Sequence, residues 1–400
     1  MRVSHSGFRA LSAIVAVAGG LGLTTVVSAQ RLLVPMDLSQ TDHLKAYGIA
    51  YHALVRGINV EWLLNYRAGS FLMNLDPGIE TECRARGVRY EFISPAQEIE
   101  IRKTIENSNM DAMMLEKAPK VGVYAPPNRE PWDDAVRLAL DYAEIPYEVV
   151  WDQEVLEGKL SQFDWLHLHH EDFTGQYGKF FGNYRNADWY RADVTLSEQT
   201  ARALGFAKVS QLKLAVIKAI KRYVENGGMM FAMCSATDTP DIALAAEGTD
   251  ICESVFDGDG VDPGFASKLN YDSGFAFESY HVITDPMVYE HSDIDTYQEA
   301  MARGRDVYFQ LFDFSAKYDP VPTMLVQDHT SLVKEFLGQN CGFRRSRLKK
   351  KTLILGEVAG TEEVKYIHGN IGKGTFTFLG GHDPEDFEHR IGDPPTNLEL

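Results

Sequence analysis

The stretch that decides the fold is residues 209–248, VSQLKLAVIKAIKRYVENGGMMFAMCSATDTPDIALAAEG. Residues 209–226 carry the pattern of a long amphipathic helix, and Gly227 and Gly228 supply its stop. MMFAMC is a short apolar run of the kind that forms a buried strand. After a sharp turn, Pro240 stands in the first turn of a second helix. The unit is helix, strand, turn, helix, and it places Cys234 where the strand ends and the turn begins.

The same beat runs outward in both directions. KVGVYAPP, YEVVWD and FDWLHLHH read as strands, with a helix over EPWDDAVRLALDYAEI and a short one over VLEGKL between them. The residues after HLHH, EDFTGQYGKFFGNYRNADWYRAD, read as a loop rich in glycine, asparagine and aromatic side chains. Towards the amino terminus RLLVPMD, INVEWLLNY and VRYEFIS read as strands, alternating with helices over TDHLKAYGIAYHALVRG, GIETECRARG and PAQEIEIRKTIENS. Alternation of this kind predicts parallel strands joined by crossover helices. From about 251 to 350 loop signals dominate and predict an insertion decorating the sheet; KTLILGEV, VKYIHGNIGKG and TFTFLGGHD restore strand and hairpin character. The expected domains are therefore residues 30–118, an α/β segment, and 119–400, an open and mostly parallel sheet flanked by helices with the insertion 251–350.

Residues 1–29 read as a secretory signal peptide: Arg2 and Arg9 form a basic start, a small and apolar stretch follows, and VSA precedes Gln30. Export, to periplasm or medium, is the expectation, with no later run long and apolar enough to span a bilayer. Of the 39 basic side chains 37 lie beyond residue 29, against 57 acidic ones. That balance repels nucleic acid and anionic membranes, leaving a small molecule, peptide or saccharide as the expected partner. The basic run RRSRLKKK, residues 344–351, is expected on a solvated loop or strand edge. Cys83, Cys234, Cys252 and Cys341 are too few and too widely spaced for a disulfide framework, though a Cys234–Cys252 bridge stays open as an alternative role for Cys234.

Open parallel sheets place ligands at the carboxyl ends of their strands, so Cys234 is positioned to face a crevice as a nucleophile, or to pack as a small hydrophobe. The backbone N–H groups beyond it, near Ser235, are candidate oxyanion donors. A thiol nucleophile needs a base and a group to orient it. GGHDPEDFEH offers His382 past the end of a strand, with Asp383, Glu385 and Asp386 close behind. HLHHEDF puts His167 and His169 on one strand face and gathers His170, Glu171 and Asp172 at its carboxyl end. That group either positions substrate or, with His382, binds a divalent metal; no metal-specific spacing such as HExxH is present. The aromatic loop, with Tyr177, Phe180, Phe181, Tyr184, Trp189 and Tyr190, can be a lid or a stacking platform for a sugar or peptide, or simply a packed loop. GNIGKG reads as a hairpin turn.

A cysteine at a sharp strand-to-helix turn and a late glycine-rich strand ending in His-x-x-Glu resemble the class I glutamine amidotransferase-like fold. The resemblance implies a triad of Cys234 as nucleophile, His382 as base and Glu385 as orienter; His169, His170, Glu171, Ser235 and Tyr177 are the candidate substrate-binding residues, and no cofactor is expected unless a divalent metal is bound. The elbow departs from the family's Gly-x-Cys-x-Gly, and the His-to-Glu spacing is one residue longer, so Asp383 or Asp386 is an alternative third member. Through HLKAYGIAY, PWDDAV, DWLHLHHEDFTGQYGKF, FAMCSATD, DICESVFDGD and GGHDPEDF the chain also resembles exported bacterial proteins that carry the label asparagine synthetase B. It has neither a cysteine at the mature start nor a pyrophosphate-binding loop, so hydrolysis, not ATP-driven synthesis, is the expected chemistry.

Overall fold

The computed structural model describes residues 30–127, 135–304, 307–334 and 337–381. Two sheets organise them. The first has five strands in the order β4-β1-β3-β2-β5. These are β1 (Arg31–Val34), β2 (Val60–Leu64), β3 (Ser70–Asn74), β4 (Glu91–Ile93) and β5 (Asp111–Leu115). Every pairing is antiparallel, which corrects the expectation of parallel strands for residues 30–118. The reason lies in β3 and β5, which the alternation pattern passes over. SFLMN follows β2 after only the short Tyr66–Ala68 turn, too short for a crossover, so the chain must double back. Helices α1 (His43–Val55), α2 (Pro77–Arg86) and α3 (Pro95–Asn107) form where the sequence places them. Asp42, Asp76 and Ser94 cap their amino termini by accepting hydrogen bonds from backbone N–H groups.

The second sheet is mixed. Its parallel half runs β15-β9-β8-β6-β7, built from β6 (Val121–Tyr124), β7 (Tyr147–Val150), β8 (Trp165–Leu168), β9 (Met229–Met233) and β15 (Gly374–Leu379). Its antiparallel wing continues through β14 (Glu363–Ile371), β13 (Leu353–Glu357), β10 (Tyr308–Leu311) and β11 (Leu332–Lys334), with β12 (Phe343–Arg344) on β14. The open, mostly parallel sheet expected for 119–400 is thus present in coarse form. The insertion does more than decorate it, because β10 and β11 extend the sheet. GNIGKG makes the expected hairpin, β14 to β15, closed by the pair Ile371 and Gly374.

Helices cover both faces. On one, α8 (Val209–Glu225) buries Leu212, Val216, Ile217, Ile220 and Val224 against Met230, Phe376 and Phe378. On the other, α4 (Ala135–Tyr142) packs Leu140 against Val121 and Val123. Helix α5 (Asp152–Leu156) follows β7, and α9 (Thr239–Ala245) is buried along its whole length. The aromatic segment is not a plain loop. It contains the single turn α6 (Phe181–Tyr184) and then the helix α7 (Asp188–Ala203).

The basic run is likewise less solvated than expected. Arg344 pairs with Glu299 at 2.6 Å, Arg347 with Asp293 at 2.6 Å, and the buried Lys349 donates to the Gly274 carbonyl. Among the described residues no helix is long and apolar enough to cross a membrane.

Candidate active site

Strand β9 lies between β8 and β15 in the parallel half-sheet. Leu168 pairs with Ala232 on one side and Leu379 with Met233 on the other, so all three carboxyl ends reach one edge together. Cys234 is the first residue beyond β9. Its backbone has φ +50°, in the left-handed region that β-carbon crowding disfavours. The strained turn is tied down from several directions. The Cys234 carbonyl accepts from the Thr237 N–H at 3.2 Å and from its hydroxyl at 2.6 Å. Thr237 in turn accepts from the Asn340 amide at 2.7 Å. A side chain forced off the strand direction at a sheet's carboxyl edge is the geometry of a nucleophile elbow.

The turn beyond Cys234 is a 3₁₀ turn, Cys234–Ala236, and α9 starts only at Thr239. The helix dipole therefore contributes little to this sulfur, and any N–H donors are those of the turn itself. Nor does Cys234 bridge to Cys252, since none of the four cysteines forms a disulfide. Cys252 instead donates its thiol to the Thr174 carbonyl at 3.3 Å.

His382 and Glu385 lie outside the described residues. The chain reaches Gly381 at the end of β15, where the Gly381 N–H donates to the Asn340 carbonyl at 2.7 Å. Asn340 thus touches both the segment leading to residue 382 and the Thr237 side chain that braces Cys234.

On the β8 side, Ser235 is fully buried and its hydroxyl donates to the His170 carbonyl at 2.7 Å, which fastens the Cys234 turn to the HLHHEDF edge. His169 and Glu171 are buried, and the Glu171 carboxylate accepts the His169 N–H at 3.2 Å. The rings of His169 and His170 are 4.5 Å apart, and those of His167 and His169 6.0 Å. Tyr177, held at φ +51°, turns towards Tyr190. His170, Glu171 and Tyr177 share a cleft of about 120 Å³ with Trp151, Phe180, Trp189, Tyr190 and Lys213; His169, Cys234 and Ser235 do not line it. Cys234 is itself buried and does not face the crevice that its place at a strand end led one to expect, because the 234–237 turn folds it inward; the structure groups Cys234 with Ser235 and, through the Ser235–His170 hydrogen bond, with the HLHHEDF edge.

Among the described residues the three metal-type ligand atoms that converge are not on the HLHHEDF edge. They belong to Asp250, Cys252 and Asp257. There Lys208 supplies the cation, 2.5 Å from Asp250 and 3.0 Å from Asp257.

Sequence reasoning missed two buried polar groups beside the site. In one, Lys213 donates to both Asp152 oxygens, at 2.8 and 3.0 Å, and to the Tyr124 hydroxyl at 2.9 Å, under the cleft floor. In the other, His291 lies 3.5 Å from Asp172, and Ser292 donates to Asp238 at 3.5 Å. Burial tends to raise the Asp172 carboxyl, but His291 and hydrogen bonds from Thr174 and Gly178 hold it well below the usual range. Burial pushes Asp238 up to about 6 against the pull of His291. A motif search could not find this cluster, because Asp172, Asp238 and the His291–Ser292 pair come from three separate segments of the chain.

No family model matches the chain, and no curated protein matches it. Solved structures give slight likenesses. The cytoplasmic protein STM3548 from Salmonella typhimurium aligns with a TM-score of 0.30 and 9% identity over 68% of this chain and 78% of that one. An exo-beta-1,4-mannosidase from Opitutaceae bacterium strain TAV5 gives 0.29 and 11% over 77% of this chain and 35% of that one. A catalytic mutant of a GH42 beta-galactosidase from G. stearothermophilus gives 0.28 and 10%, over 66% and 27%. At such scores the likeness is too slight to transfer a fold or an activity.

Proposed function

We propose that the protein is an exported thiol hydrolase with a class I glutamine amidotransferase-like core, cleaving an amide or related acyl bond. The observation that carries the reading is the φ of +50° at Cys234, a non-glycine residue at the carboxyl end of a central parallel strand. Backbone strain of this kind costs about 1–3 kcal/mol and persists where the surrounding structure over-determines it, as at nucleophiles. His382 takes the Cys234 thiol proton, the thiolate attacks the substrate carbonyl carbon, and backbone N–H groups near Ser235, with the 170–172 edge, stabilise the oxyanion. Collapse of the tetrahedral intermediate expels the amine, which takes a proton from His382 and leaves an acyl-thioester on sulfur. Water, deprotonated by the same imidazole, then releases the acid and restores the thiol. Glu385, or an acidic neighbour of His382, orients the imidazole.

The test is turnover of a panel of chromogenic amides and activated esters by the purified mature chain. Cys234→Ala is expected to lower kcat at least 1,000-fold with an unchanged circular dichroism spectrum, and a chelator is expected to leave the rate unaltered. Full activity in Cys234→Ala with loss to the chelator would replace this reading with a metal-dependent hydrolase. Ligand binding without any turnover would leave a saccharide- or peptide-binding protein.

A further inference from the structure

We infer that Asn340 is a positioning residue of the proposed hydrolase: it joins the Cys234 turn to the strand end that leads into His382, and so fixes how far the base stands from the sulfur. The inference rests on the thiol-hydrolase reading for its chemistry and on separate contacts for its geometry. The Thr237 hydroxyl, which donates to the Cys234 carbonyl at 2.6 Å, accepts from the Asn340 side-chain amide at 2.7 Å. The Asn340 carbonyl accepts from the Gly381 N–H at 2.7 Å. One residue therefore grips both segments. Its side chain holds the turn that carries the nucleophile, and its peptide holds the residue next to His382.

The grip is stiff because Asn340 is itself held. Its backbone sits at φ +57°, a left-handed conformation that asparagine tolerates better than most side chains. The buried Asp295 side chain clamps that conformation, accepting from the Asn340 and Cys341 N–H groups at 2.9 Å each. A β-carbon on Gly380 would stand 2.7 Å from the Gly342 α-carbon, so the chain leaving β15 lies directly on the 340–342 segment without slack. Asn340 is 1% exposed, and its Oδ1 has no hydrogen-bond partner among the described residues. An apolar side chain would fill the space without that buried orphan, so the worth of the amide lies in what it holds. A thiol proton passes to an imidazole only while the two groups stay within hydrogen-bond reach. A holder common to both segments sets that reach.

The full mature chain is alkylated with iodoacetamide across pH, and the rate at Cys234 is followed by mass spectrometry in the wild type, Asn340→Gly, His382→Ala and the double variant. Glycine keeps the left-handed backbone and both peptide contacts, and removes only the amide. The plateau rate reports access to the sulfur, whereas the midpoint reports its pairing with the imidazole. Asn340→Gly is expected to raise the midpoint by about 1 pH unit or more, towards the free-thiol value of ~8.5, and to add nothing once His382 is alanine. No shift in Asn340→Gly overturns the inference. A shift that persists in the His382→Ala background overturns it too, because the Asn340 amide also bonds Asp238 and its loss would then act through that carboxyl. Thr237 gives a second route if Asn340→Gly does not fold. Thr237→Val, which lacks the hydroxyl, should reproduce the shift, and Thr237→Ser should keep the wild-type midpoint; equal midpoints in the two overturn the inference. The two readings fail separately. A midpoint that depends on His382 but not on Asn340 or Thr237 removes the positioning role alone. A midpoint indifferent to His382→Ala removes the thiol hydrolase, and this inference with it.

Discussion

Cys234 can be separated from an ordinary buried cysteine by the residue's backbone. Only glycine adopts φ +50° without crowding at the β-carbon, so Cys234→Gly is expected to be more stable than Cys234→Ala by about 1 kcal/mol in urea unfolding, while both lose activity. The reverse order would contradict the strained backbone at residue 234. Asp238 yields a second test at this scale. Its folded pKa of about 6 lies above the unfolded value, so the folded state binds the proton more tightly. The destabilisation it causes is absent below pH ~4 and grows as pH rises through 6, reaching on the order of 2–3 kcal/mol. Asp238→Asn should therefore raise the melting temperature at pH 7.5, with the gain vanishing towards pH 4. A gain independent of pH would contradict the assignment. The position of Cys234 was legible in the sequence, because two glycines end one helix and Pro240 opens the next. Its strained φ was not, because the Thr237 hydroxyl that holds the Cys234 carbonyl is itself fixed by Asn340 from a distant part of the chain.

At the scale of elements, legibility followed periodicity. Helix α8 and strand β9 were plain because each has a clean pattern and a glycine boundary. Strand β3 was hidden because both of its faces are covered, so SFLMN lacks alternation, and α7 was hidden by the aromatic and polar residues around its start. Two predictions concern how elements join. A β-carbon on Gly374 would stand 2.1 Å from the Val224 carbonyl and 2.3 Å from that of Gly228. Gly374→Ala must push the β14–β15 hairpin off the end of α8, and a loss of at least about 2 kcal/mol is expected in chemical unfolding. The Lys213–Asp152 pair joins α8 to α5 and is almost wholly buried. Lys213→Ala should cost about 3–5 kcal/mol because it strands a buried carboxylate, whereas Lys213→Met combined with Asp152→Leu should recover most of that loss.

For the whole molecule, the antiparallel sheet docks on the parallel one through contacts that no periodicity announces. Gly48 of α1 lies against the Ala143 carbonyl, His52 bonds to the Glu144 carbonyl at 3.0 Å, and Asn65 exchanges hydrogen bonds with Gln327. The acidic balance was readable from composition; the pairing of the basic run with Asp293 and Glu299 was not, since those partners come from a distant segment. The cysteines give the most direct test of the central claim. All four cysteines are buried, so accessibility alone gives Cys234 no advantage; burial pushes the Cys83 and Cys341 thiols up to about 12 and raises Cys252 as well, so these three should resist alkylation in the folded protein. Iodoacetamide labelling of the native chain against pH, with each site located by mass spectrometry, should mark Cys234 first, with a midpoint below the free-thiol value of ~8.5. Cys234 that reacts no faster than Cys252, or only after unfolding, would contradict its role as the nucleophile.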